Sequence, residues 1–164
     1  MGRLKKSRDV ITVLKAFKKF KHLNDSKLII LGNGPEKNNL INYVQDNNIQ
    51  NYVEFKGFVE DTYKYFCAAD LYIHSSLYDA MPLTLIEALV CNTQILSTDC
   101  KYGPREILKD NKLGIIIKTS DEKEMLKGFY EALKIKIDTI KRDNIKKEFL
   151  IENISNQYLK VFFN

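Results

Sequence analysis

The 164-residue chain holds 45% hydrophobic and 29% charged residues, a balance that belongs to one folded domain of ordinary size and excludes disorder. Its net charge of +5 and isoelectric point near 9.0 admit nucleic acid, an anionic membrane surface or a small anionic substrate, and do not choose among them. No apolar run approaches membrane-spanning length, the basic start Met1–Lys6 lacks a signal-peptide core, and Cys67, Cys91 and Cys100 have no metal-ligand spacing, so a cytoplasmic protein with reduced thiols is expected.

In chain order, Val10, Val13, Leu14, Phe17 and Phe20 recur at helical spacing, with Asp9 read into the first turn of that helix. Lys27–Leu31 reads as an apolar strand, which Gly32-Asn33-Gly34-Pro35 turns into a polar helix from Glu36 to about Asn47. Val53–Lys56 is the next strand, closed by Gly57-Phe58-Val59 and followed by a helix from Glu60 to Ala68; Phe58 suits a core or a ligand contact equally. Leu71–His74 is a strand with His74 at its carboxyl end, where a lone histidine reads as a structural residue, and Tyr78 falls at the rim beyond it.

Ser75–Glu87 is where a buried strand gives way to a helix. Pro82 fits the first helical position because its fixed φ and missing N–H do no harm there, and the helix is expected to run to about Val90. The amides of Leu83 and Thr84 then lie in the first turn without intrahelical partners, which makes an anion site beyond the strand. Glu87, one turn later, is placed to accept both hydroxyls of a ribose, and Asp79 in the loop before the helix is placed to meet a second polyol. One anion flanked by two diols describes a nucleotide diphosphate sugar.

Asn92 suits a left-handed cap, Gln94–Ser97 a short strand, and Thr98–Glu106 a loop into a short helix ending at Leu108. Gly114–Ile117 is a last strand, Thr119-Ser120-Asp121 caps a helix from Glu122 to Leu133, and helix fills most of Asp138–Phe162. Lys134, Lys136, Lys141, Arg142, Lys146 and Lys147 read as a solvated face, with attraction to an anionic inner membrane leaflet as a second reading. The alternation of strand and helix predicts an α/β fold, a Rossmann-like doubly wound parallel sheet covered on both faces. Its strand-end loops collect Arg3, Gly34, Val59, Ser76, Asp79 and Gly103 on the edge where open α/β sheets bind ligands.

Asp79-Ala80-Met81-Pro82 followed by Glu87-Ala88 resembles the signature of the retaining GT-B glycosyltransferases of family 4, also called glycosyltransferase group 1, in their C-terminal donor-binding domain. That signature has Glu, seven residues and Glu; here Asp79 stands for the first Glu and Ala80 for a Gly. Gly2-Arg3-Leu4, Gly32-Asn33-Gly34-Pro35-Glu36, Gly57-Phe58-Val59, Thr98-Asp99-Cys100 and Gly103-Pro104-Arg105-Glu106-Ile107 carry the likeness from Gly2 to about Leu113.

The resemblance implies transfer of a sugar from a nucleotide diphosphate sugar, a UDP-sugar, to an acceptor hydroxyl with retention, in bacterial surface polysaccharide or glycolipid synthesis. It implies that Arg3 and Arg8 grip the diphosphate with Asp79 and Glu87 completing the catalytic set. Gly2, Gly34, Ser76, Met81, Pro82, Leu83 and Thr84 would line the donor, and Phe58 and Val59 would meet its base. No metal and no cofactor beyond the donor is expected. The family places a central strand before Gly2, so the chain is expected to be a fragment of a longer enzyme, or to be read from an internal start codon, without that strand and without an N-terminal acceptor domain, binding donor but turning over poorly. A sugar-nucleotide-binding module without catalysis is the alternative. Nucleic acid is not an expected partner, because aromatic and basic residues do not interleave and acidic residues are plentiful.

Overall fold

The computed structural model describes residues 1–21, 25–109, 112–135, 143 and 147–163. After a 3-10 turn at Lys6–Arg8, the chain runs through α1 (Val10–Lys21), β1 (Leu28–Leu31), α2 (Lys37–Asp46), β2 (Val53–Gly57), α3 (Tyr63–Ala68) and β3 (Leu71–His74). There follow α4 (Leu83–Val90), β4 (Gln94–Thr98), α5 (Pro104–Leu108), β5 (Ile115–Ile117), α6 (Glu122–Lys134) and α7 (Ile151–Phe163).

Strand β4 is buried on both faces, whereas β2 turns Glu54 and Lys56 outward; the period-2 geometry of a strand sends successive side chains to opposite sides. In β4, Leu96 joins Leu14 and Phe17 of α1 and Met125 and Phe129 of α6 in one core. Its neighbour Ile95 packs instead with Leu85 and Leu89 of α4 and Ile107 and Leu108 of α5. The same division places Ile117 in the first core and Ile116 against the second. The two-faced cover expected of a doubly wound sheet is therefore present, and the pairing is parallel throughout: β1 with β2, β3 with β4, and β4 with β5. Asp121 caps α6 as read, its carboxylate accepting the amides of Lys123 and Glu124 at 2.9 and 3.0 Å.

The sheet is in two parts, β1–β2 and β3–β4–β5. Between them lies a cleft of about 650 Å³, lined by Leu28–Leu31 on one flank and Leu71–Ser76 on the other, with Phe17, Phe20 and Phe129 also facing it. Each flank is the unpaired edge of a parallel strand. Residues Gly2–Leu4 leave the mouth of this cleft and run beside the end of β1: the Gly2 amide donates to the Leu31 carbonyl at 2.9 Å and the Leu4 amide to the Asn33 carbonyl at 2.8 Å.

Several boundaries differ from the sequence reading, each for a local reason. Asp9 precedes α1 instead of opening it: it is the left-handed residue (φ 45°) that ends the 3-10 turn, and its carboxylate accepts from Thr12 Oγ1 at 2.9 Å and Ser120 Oγ at 3.2 Å. Pro82 is the residue before α4, not its first member, because its ψ of 87° is not helical. α3 starts at Tyr63 instead of Glu60. Asn92 takes the left-handed conformation (φ 58°) expected of a residue just past a helix. Phe149 packs against the second core. The expected helix between Asp138 and Phe162 is described only in part, since residues 136–142 and 144–146 lie outside the described residues, as do the side chains of Tyr158, Phe162 and Phe163.

Candidate functional site

The parallel strands end on one edge, and the polar residues at their carboxyl ends are buried there together. His74 ends β3 and Ser75 and Ser76 follow it, Ser97 and Thr98 end β4, and all five are less than 9% exposed. The β3–β4 register sets His74 opposite Ser97. Thr98 Oγ1 donates to the Ser76 carbonyl at 2.6 Å, fixing the path of the chain as it leaves β3.

The turn before α1 is bound to the same place. Ser75 Oγ donates to the Arg8 carbonyl at 2.6 Å, and the Leu77 amide donates to the Ser7 carbonyl at 2.8 Å. Residues 67 and 70 positions apart are thereby locked together, and the Arg8 side chain is delivered to the strand ends. One terminal nitrogen of its guanidinium donates to Ser76 Oγ at 2.7 Å and to Asp79 Oδ2 at 2.5 Å. Its Nε is buried with no partner among the described residues, an exception in a class of groups that is almost always satisfied.

Asp79 accepts from three sides. Besides Arg8 on Oδ2, His74 Nε2 lies 3.3 Å from the same oxygen and the Ala80 amide donates to Oδ1 at 3.1 Å. Burial alone would raise the Asp79 carboxyl; the hydrogen bonds from Arg8 and His74 and the charge of Arg8 overcome it and hold the group below the ordinary carboxylate value. Burial is also the largest influence on His74, and although Asp79 works against it, the imidazole is pushed down to about 4. His74 is therefore neutral at physiological pH.

Four residues beyond Asp79, α4 begins at Leu83. Pro82 offers no capping side chain, so the amides of Leu83 and Thr84 at the first two helical positions have no intrahelical acceptor and point toward the loop edge. The Thr84 side chain is engaged by the buried phenol of Tyr72. Glu87 is exposed one turn further along. Gly103 closes the loop from behind: it holds φ 90°, and a Cβ there would stand 2.4 Å from Pro82 Cδ, so the turn needs glycine on both counts.

The remaining residues singled out in the sequence are placed as follows. Gly2 and Gly34 serve a chain crossing: a Cβ on Gly34 would lie 2.2 Å from the Leu4 carbonyl oxygen. Arg3 is exposed on that crossing segment. Phe58 is 77% exposed, which settles it outside either core, and Val59 is half-buried beside it. Met81 is exposed. The sequence marks His74 only as a structural residue at a strand end and does not single out Ser97, because the partners of His74 sit 5 and 23 residues away. Among the described residues no group of three His, Cys, Asp or Glu side chains is placed to hold a metal ion, and no helix is long and apolar enough to cross a membrane.

The sequence pattern of the glycosyl transferases of group 1 matches residues 1–149. Over 133 residues, 81% of this chain and 36% of the relative, the chain is 30% identical to the N-acetylgalactosamine-N,N'-diacetylbacillosaminyl-diphospho-undecaprenol 4-alpha-N-acetylgalactosaminyltransferase of Campylobacter jejuni. It is 27% identical over 146 residues, 85% of this chain and 29% of the relative, to the poly(ribitol-phosphate) alpha-N-acetylglucosaminyltransferase of Staphylococcus aureus. The chain thus spans about a third of the length of these curated relatives. Among solved structures it superposes with a TM-score of 0.86 on a mutant of S. aureus TarM in complex with fondaparinux, alpha-GlcNAc-glycerol and UDP, at 22% identity, covering 99% of this chain and 35% of the other. Anabaena Alr3699/HepE in complex with UDP gives the same TM-score of 0.86 at 17% identity, covering 98% of this chain and 47% of the other.

Proposed function

The chain belongs to the glycosyl transferases of group 1, with the Rossmann-like fold of one half of a GT-B enzyme, and we propose that it is the donor-binding part of such an enzyme. The reaction is transfer of a sugar from a nucleotide diphosphate sugar, a UDP-sugar, to an acceptor hydroxyl with retention, in the building of a bacterial surface glycan. The observation that carries this reading is the meeting of Arg8, Ser76 and Asp79 at the strand ends, within a few residues of an uncapped helix start. A guanidinium and two free amides suit a diphosphate, and a shielded carboxylate that stays ionised suits sugar hydroxyls. The curated relatives named above are sugar transferases by name, and the solved neighbours hold UDP.

In the mechanism, the chain's work is to stabilise a departing diphosphate. Arg8, with Arg3 nearby in sequence, and the amides of Leu83 and Thr84 take up the charge that develops as the glycosidic bond to phosphate breaks. Glu87 holds the ribose diol, Val59 and Phe58 border the base, and Asp79 orients the sugar. Donor binding requires Arg8 to share or surrender its contact with Asp79, since one terminal nitrogen now serves Asp79 and Ser76 together.

The cleft between β1 and β3 supports a second part of the proposal: the chain is a donor half that takes one more parallel strand between those edges and works with an acceptor domain. Two unpaired strand edges facing a shared apolar space are the binding surface of a strand, and Met1 lies at that cleft. Glycosyl transfer by a longer form that carries both domains, compared with donor binding by the 164-residue chain, tests the reading. Transfer in the longer form with binding alone in the shorter supports it, and donor binding without transfer in either makes the protein a sugar-nucleotide-binding module.

A further inference from the structure

Arg8 faces two demands once a donor binds. It holds Asp79 at Oδ2, and it is a cation held at the strand ends by Ser76, where a diphosphate would sit. Its side chain is 30% exposed and long, so it can turn. Asp79 would then keep the Ala80 amide on Oδ1 and His74 on Oδ2. Of those two, His74 is the rigid one. It is 4% exposed, stands at the last position of β3, and is held from its other side by Ser97 Oγ at 3.1 Å in the adjacent strand.

The partners also fix which nitrogen carries the proton. An ionised Asp79 only accepts, so Nε2 must be the N–H that meets it, and Nδ1 is left to accept the Ser97 hydroxyl. The opposite tautomer would turn a lone pair toward a carboxylate. The single hydroxyl hydrogen of Ser97 has two acceptors in reach, the Thr98 carbonyl, also at 3.1 Å, and Nδ1; with the imidazole proton on Nε2 turned to Asp79, Nδ1 can meet Ser97 only as an acceptor.

We propose that His74 is a positioning residue for Asp79: held in the Nε2–H tautomer by Ser97, it keeps the carboxylate aimed at the donor sugar when Arg8 turns to the diphosphate. This rests on the donor-site reading above. It also explains how an Asp, one methylene shorter than a Glu, is supported here, because the hydrogen bond comes up from the strand end directly beneath it. The charged and titratable groups around His74 are Asp79, Arg8 and the Met1 amine.

The test uses the 164-residue chain and compares the affinity of UDP with that of UDP-glucose, UDP-galactose, UDP-GlcNAc and UDP-GalNAc by calorimetry, with circular dichroism to confirm folding. The quantity read is how much tighter the preferred sugar nucleotide binds than UDP. His74→Leu, which removes both ring hydrogen bonds, is expected to cut that ratio about tenfold, the value of one hydrogen bond to a charged group. Asp79→Ala is expected to do the same, and the double variant no more than Asp79→Ala alone. His74→Gln, which keeps a donor, is expected to restore most of the ratio, and UDP itself should bind both His74 variants about as tightly as the wild type and the two Asp79 variants no more weakly.

A merely structural histidine would weaken UDP and sugar nucleotide alike and would not be rescued by Gln; either result overturns the proposal. If Asp79→Ala lowers the ratio and a folded His74→Leu does not, this inference fails while the donor site stands. If Asp79→Ala has no effect, or no sugar nucleotide binds better than UDP, the role given to Asp79 fails and this inference with it. Nitrogen-15 NMR of the two histidines decides the matter if His74→Leu does not fold: an Nε2–H imidazole that changes when Asp79 is replaced by Ala supports the relay, and an Nδ1–H imidazole ends it.

Discussion

The Arg8 guanidinium stands 2.5 Å from the Asp79 carboxylate, at the carboxyl end of β3. The side chain assigned to the diphosphate and the side chain assigned to the sugar are therefore joined before any donor arrives. Arg8→Ala is expected to weaken UDP ten- to a hundredfold, about 1.5–3 kcal/mol for charge-assisted hydrogen bonds. Asp79→Ala is expected to leave UDP no weaker, because it releases Arg8. Calorimetric titration of both variants checks the pair, and a weaker UDP complex in Asp79→Ala would argue that the ion pair supports the site instead of competing with the ligand.

Glu87 is exposed on α4, one turn in from the free amides of Leu83 and Thr84. Glu87→Ala is expected to lower affinity for UDP about tenfold, in the range of a hydrogen bond to a charged group, while leaving inorganic diphosphate unaffected. Competition between the two ligands reads the difference. Equal losses for both would move Glu87 from the ribose to the phosphates.

His74 makes stability depend on acid. In the folded chain burial holds its pKa at about 4, whereas an unfolded histidine takes up its proton near 6.5. Between those values the unfolded chain binds the additional proton, so this contribution is complete above about pH 6.5 and is lost as the pH falls toward 4. Its slope approaches about 1.4 kcal/mol per pH unit. Asp79, whose carboxyl is held below its ordinary value, adds a loss in the same direction at lower pH. Urea midpoints of wild type and His74→Gln measured from pH 7 to 4.5 should converge as the pH falls, and parallel curves would show that His74 titrates normally in the fold.

The cleft flanked by Leu28–Leu31 and Leu71–Ser76 should accept a strand. Fusing five alternating Val and Ile residues ahead of Met1 is expected to raise the melting temperature by at least several degrees, since 1 kcal/mol is worth roughly 2–4 °C for a domain of this size. An unchanged or lower melting temperature would show that the two strand edges are not spaced to share a partner.

The alternating elements were legible because their signals are local. The apolar runs of β1, β3 and β4, the Asp121 cap and the left-handed Asn92 were all read within a few residues of where they lie. The sequence places Pro82 one position too far into the helix because its φ suits either side of a helix start, and only its ψ of 87° decides. Asp9 went to the wrong side of its boundary because a tertiary bond to Ser120, 111 residues away, selects its conformation. The site shows the same division. Spacing and family likeness single out Asp79 and a helix start near Pro82, and likeness alone singles out Arg8, but nothing local shows that Arg8 and Asp79 pair, or that the β3–β4 register hands His74 a serine on one side and a carboxylate on the other.

The measurement that tests the central claim most directly is a thermal-shift titration of the 164-residue chain with UDP, GDP, ADP and the corresponding sugar nucleotides. At about 100 times its dissociation constant a bound ligand adds roughly 2.7 kcal/mol, a rise of about 5–10 °C for a domain of this length. The account predicts that UDP and a UDP-sugar give this rise and that Arg8→Ala abolishes most of it. A chain that is folded by circular dichroism and answers to none of these nucleotides would contradict it.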